Sequence, residues 1–174
     1  ATMKEISGLV AVNSVMAMIG GVLVALVVSK NDPGFIHNGA LAGLVAICAG
    51  SDKVHPLGAL IIGGLAGAIF VIGFAWEQEK LKIDDVLGVW PLHGICGSWG
   101  GIACGIFGKE SLGGMGGVSL LSQVIGSVMA ILIALVSAFT VYKILDSLFG
   151  IRLSAEEEMR GSDLTIHRLE SYPE

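Results

Sequence analysis

Residues 54–76 read VHPLGALIIGGLAGAIFVIGFAW, and no Asp, Glu, Lys or Arg occurs among them. At about 1.5 Å per residue such a run makes a helix of roughly 34 Å, enough to cross a hydrocarbon layer of about 30 Å. Four further runs are equally free of formal charge: 6–28, 35–51, 86–108 and 111–142. The run 35–51 stands at the short end of the crossing range. All are apolar on every face, whereas a membrane barrel strand alternates apolar and polar residues. The expected fold class is therefore all-α, a polytopic transmembrane helix bundle.

Composition agrees. Charged residues make up 14% of the 174 residues and the mean hydropathy is +0.80, against roughly 25% charged in a soluble domain. The 26 glycines would weaken helices in water, but in a bilayer small residues let helix backbones approach closely. Gly39/Gly43, Gly63/Gly67 and the series Gly97, Gly101, Gly105 have the four-residue spacing of helix–helix seams. Cys48, Cys96 and Cys104 lie inside apolar runs and read as small packing residues. A net charge of −5 gives no support for a nucleic-acid partner. No cofactor motif and no metal spacing is present, and one membrane histidine without a nucleophile or metal cluster is not a catalytic set.

Breakers and charges divide the chain into helices at about 6–28, 36–50, 56–76, 86–107 and 118–149, followed by a polar tail at 150–174. The chain reads as starting partway through a larger protein or just after a removed segment. The fifth helix is longer than the bilayer is thick, so it is expected to tilt, bend or protrude. Five crossings place Lys4, Lys53 and Lys109 on one side and Lys30, Lys80, Lys82, Lys143, Arg152, Arg160 and Arg168 on the other. The lysine and arginine excess predicts a cell-membrane protein with a cytoplasmic C-terminus.

His93 is the one ionisable group well inside an apolar run, in the segment VLGVWPLHGIC at 86–96. Ionisable groups at that depth face a bundle interior or a cavity and mark transport paths. The spacing i+4, i+7 puts Gly97 and Gly100 on the face of His93 and leaves room for a narrow channel. Pro91 is expected to free a backbone carbonyl one turn away. Trp90, one turn before His93, either lines the same path or belongs to the interfacial aromatic belt. The other reading of His93 is a ring that donates one hydrogen bond to a neighbouring helix and does nothing else. Asp84 and Asp85 are placed to cap helix four. His37 and His55 read as interfacial polar residues.

These residues resemble a known family. NGALAGLVAI at 38–47 is similar to the eighth membrane helix of the ammonium transporter (Amt/Mep/Rh) family, and PLGALIIGGLAG at 56–67 to the ninth. Asp84-Asp85 followed by WPLHGICG at 90–97 resembles the family's D-D…V-H-G-x-x-G signature in the tenth, and GIRLSAEEEMRGSD at 150–163 its cytosolic regulatory end. The tail points to the Amt branch. The chain would then correspond to helices seven to eleven plus the tail. The sequence departs from the family pattern at Gly88, where a further acid is common, at Trp90, where Phe is common, and at Ser162 and Arg168.

The resemblance implies transport of ammonium or ammonia through a hydrophobic pore lined by His93. A partner histidine would lie on an N-terminal half outside this chain. It implies a homotrimer in a lipid bilayer and a tail that meets a PII-type (GlnK-like) signalling protein. In that tail Gly161 matches a hinge glycine, Asp163 closes the matched stretch, and Thr165 falls where some plant relatives are phosphorylated. Two other readings stand beside it: an ammonium sensor without net flux, and a non-transporting fragment.

Overall fold

The structure, a computed structural model, describes residues 2–161 and is all-helical, with no strand among the described residues. Helix α1 spans Met3–Val28, α2 Pro33–Ile47, α3 Pro56–Trp76, α4 Cys96–Phe107, α5 Leu120–Phe149 and α6 Ala155–Arg160. A π-helical turn, Glu77–Leu81, extends α3, and a second, Trp90–Ile95, leads into α4. The described residues fall into two compact units, 2–131 and 132–161.

Local chemistry sets the helix starts. Thr2 and Glu5 form a capping box, with Thr2 N–H donating to Glu5 Oε2 at 2.7 Å. Asp32 accepts from the backbone amides of Gly34 and Phe35, and Pro33 occupies the first turn of α2, where its missing N–H is harmless. α2 therefore starts at Pro33 and stops at Ile47, not the expected 36–50. His55, expected merely at an interface, caps α3 by accepting the Leu57 N–H on Nδ1 at 3.2 Å.

In the first unit α1 packs along α3 and α2, α2 also meets α3 and α4, and α3 touches both π turns. The seams are built from missing side chains. A Cβ placed on Gly63 would run into the Ala17 carbonyl, and one on Gly21 into the Gly39 carbonyl. Around these seams lie Ala17, Ala25, Ala42, Ala46, Ile62, Ala66 and Phe70, all buried. Asn13 is fully buried in α1, and its Nδ2 donates to the Ser51 and Val54 carbonyls at 2.8 Å each, pinning the loop between α2 and α3. Trp99 Nε1–H donates to the Ile62 carbonyl at 3.1 Å and ties α4 to α3. Phe35, Phe70 and Phe74 cluster with ring centroids 5.6–6.0 Å apart.

Among the described residues, three helical segments, Met3–Val28, Pro56–Leu81 and Leu120–Phe149, are long and apolar enough to cross a membrane. The sequence suggested five. α2, at 15 residues, is about 22 Å long and falls short of the hydrocarbon thickness. The fourth run does not start at 86: residues 86–88 form a turn, Gly88 adopts a left-handed φ of 69°, and the second π turn interrupts regular α geometry. In the second unit, α6 starts with a capping box in which Ser154 Oγ accepts the Glu157 N–H, and Arg152 pairs with Glu158 at 3.2 Å. Glu157 returns its carboxylate to Ser154, whose hydroxyl and backbone N–H hold that carboxyl below its usual range.

Candidate functional site

The site is assembled at the start of the second π turn. The Asp85 carbonyl accepts the Gly88 N–H at 3.3 Å, and its Oδ2 accepts the Trp90 N–H at 2.8 Å. Partial burial by itself would raise the Asp85 carboxyl; the amides of Trp90, Val89, Leu87 and Gly88 outweigh it and hold the group below its usual range. Asp84 behaves differently from the sequence expectation. It is exposed and makes no side-chain hydrogen bond or ion pair among the described residues, so Asp85 caps alone.

Pro91 sits in the first turn of this segment. There its absent N–H leaves no partner stranded, so it does not free a carbonyl in the way the sequence suggested. Its ring is buried and would contact a Cβ on Gly73. Further along, the Cys96 N–H donates to the Pro91 carbonyl, the five-residue bond of a π turn.

That wide turn decides where His93 faces. Its side chain is exposed, with no hydrogen-bond partner among the described residues. The ring is not enclosed by the helices of this chain, contrary to the picture of an imidazole held inside the bundle. The expected glycine strip is also altered, because a π turn breaks the 3.6-residue period that the i+4, i+7 rule assumes. Gly97 is nearly open, with only Val45 Cγ1 at 3.8 Å from a Cβ placed there, whereas Gly100 is buried against the Ala46 carbonyl.

Trp90 is half-exposed, its ring centroid 6.2 Å from that of Trp76, and it lies across Gly94, the neighbour of His93. A recess of about 300 Å³ opens nearby, lined by Asp32, Phe35, Asn38, Phe70, Phe74 and Val86; His93 does not line it. In the tail, Gly161 ends α6 with φ 89°. Asp163 and Thr165 lie outside the described residues.

Two polar residues carry structural weight that sequence reasoning overlooked. Asn13 was readable as the only carboxamide in the run 6–28. Glu77 follows the apolar run of α3 directly and opens the charged stretch 77–85, yet it is buried, at 2% exposure. The cysteines are free, and no cluster of three or more metal-ligating side chains occurs among the described residues.

Membrane-length apolar helices packed through glycine seams, with a distorted helix presenting an imidazole on an open face, define a multi-pass helical membrane protein. The model of the Ammonium Transporter Family matches residues 1–172. The chain belongs to that family. It is 47% identical over 171 residues to ammonium transporter Amt2 of Methanocaldococcus jannaschii, covering 98% of this chain and 40% of that protein. It is 40% identical over 165 residues to Amt1 of the same organism, covering 95% of this chain and 42% of that protein. A solved structure described as a sensor Amt protein is similar at a TM-score of 0.76 and 28% identity, covering 96% of this chain and 42% of that one. The Rh50 protein of Nitrosomonas europaea is similar at a TM-score of 0.53 and 27% identity, covering 94% of this chain and 47% of that one. The chain thus spans less than half the length of these relatives.

Proposed function

We propose that this chain supplies the His93 side of an ammonium-conducting path, completed by helices that its longer relatives possess. The observation that carries the reading is the open placement of His93. A ring used only for packing would be enclosed and hydrogen-bonded; this one is exposed on a π turn, with no hydrogen-bond partner among the described residues. Trp90, which lies half-exposed across the neighbouring Gly94, supports a path along this face.

The chemistry follows from the cost of charge in hydrocarbon. An isolated charge at the centre of a bilayer-spanning helix is disfavoured by at least about 2.5–3.5 kcal/mol. Ammonium that loses its proton at the mouth crosses as ammonia and avoids most of that penalty. A neutral imidazole offers one donor and one acceptor, matching ammonia, which both donates and accepts. A second imidazole from the completing half would let the pair orient ammonia and relay the released proton, so that net charge crosses with each ammonium. The Lys/Arg excess on the C-terminal side supports a cytoplasmic C-terminus. The family supports a homotrimer, and tail residues Gly161, Asp163 and Thr165 would form part of a regulatory end open to a PII-type partner.

A second reading has its own support: one of the similar solved structures is described as a sensor. In that reading the path binds ammonium without releasing it on the far side. Liposomes holding the complete protein separate the two. Transport predicts an ammonium-driven current that persists for as long as a gradient is applied. Saturable binding with no sustained current supports the sensor and removes the transport proposal.

A further inference from the structure

We propose that Glu77 and Asp85 hold one proton between them, and that this proton latch fixes where the segment carrying His93 begins. Glu77 is the first residue beyond α3 and the only buried acid among the described residues, at 2% exposure. Its Oε2 is buried without any hydrogen-bond donor. A carboxylate in that position would have neither water nor a partner, an expensive arrangement.

The neighbours supply no cation. Glu79 and Lys80 on the same turn and Lys82 and Asp84 in the following loop are exposed, as is His93 on the second π turn, and none of them pairs with Glu77. What does face Glu77 is another acid: the Asp85 carboxyl lies in hydrogen-bonding contact with it. Two carboxyl groups in contact require a proton between them, since both oxygens otherwise only accept. The backbone amides already gathered on Asp85 favour its charged form. The proton therefore resides on Glu77, which donates to Asp85.

The contact has a structural consequence. Gln78 Nε2 donates to the Asp85 carbonyl at 3.2 Å, so consecutive residues of the first π turn hold both the backbone and the side chain of Asp85. Asp85 in turn receives the Trp90 N–H that opens the second π turn. The end of α3 is thereby connected through one proton and one carboxylate to the helix bearing His93. Loss of the proton would set two negative charges in contact and release that connection. The latch does not depend on what the path conducts.

Infrared difference spectroscopy on the complete protein in lipid at neutral pH reads the proton directly. A carboxylic-acid C=O band, sensitive to deuterium exchange, should be present in the wild type and absent in Glu77→Gln. In Asp85→Asn the same band should persist but move, because its acceptor changes from a carboxylate to an amide. Spectra of wild type and Glu77→Gln without that difference would overturn the proposal, as would a band unmoved by Asp85→Asn. Carbon-13 labelling of the glutamate carboxyls in the wild type reads the band without any substitution, should a variant fail to fold. A protonated glutamate at neutral pH supports the latch, and its absence overturns it.

Discussion

Helices α3 and α5 are both long and apolar enough to span a bilayer, yet they are used in opposite ways. α3 buries Gly58, Ala59, Ile62, Gly63, Gly64, Ala66, Gly67, Phe70 and Val71, whereas α5 buries nothing. Hydropathy does not separate them, because lipid is as apolar as a protein core. The difference lies in residue size. α3 has glycines and alanines on the seams with α1, where Gly63 approaches the Ala17 backbone, and α5 presents Leu, Ile, Val and Phe around a single Gly126 that touches nothing. In this membrane protein it is small side chains, not greasy ones, that mark a helix held by its neighbours.

The sharpest way to break that comparison is one substitution made on both helices. Gly63→Leu should cost about 3 kcal/mol or more and prevent a stable fold, since the new side chain meets backbone that has nowhere to go. Gly126→Leu should stay within about 0.5 kcal/mol. Unfolding temperatures in detergent read both, and equal losses would remove the distinction between the two helices.

Asn13→Ala comes next. It strips two hydrogen bonds from the loop that leads into α3 and should destabilise by about 1–3 kcal/mol, measured by denaturant unfolding. At the other end of α3, Asp85→Ala removes the cap on the second π turn and should cost about 1 kcal/mol. The sign with pH is set by the lowered Asp85 carboxyl. Its contribution is complete above the unfolded value of about 3.9 and fades as pH falls through the lower folded value. A wild-type minus Asp85→Ala stability difference that instead grows on acidification would contradict the cap. The smallest effect is expected beyond α5. Ser154→Ala removes the capping box of the short α6 and should lower hydrogen-exchange protection there by less than about 1 kcal/mol, leaving the helices of residues 1–131 unchanged.

The helical, membrane-spanning class was legible because charge-free runs of bilayer length admit few other folds, and the family was legible in Asp84–Asp85 and the Trp90–Gly97 stretch. What was not legible depends on register. Residue spacing assumes 3.6 residues per turn, so Gly100 was placed beside His93 when the π turn rotates it into the Ala46 contact. Asp84 and Asp85 are adjacent and chemically alike, and only the turn at Gly88 decides that Asp85 reaches the Trp90 amide. Glu77 was hidden for the opposite reason. A charged stretch reads as solvated, and nothing local says that its first acid is buried.

The role of His93 is tested most directly by ammonium-driven current through the complete protein in liposomes, wild type against His93→Ala, with folding checked by thermal unfolding. The account predicts a folded variant whose ammonium current falls to the background of empty vesicles or loses its selectivity for ammonium. A folded variant with wild-type current and wild-type selectivity would contradict it.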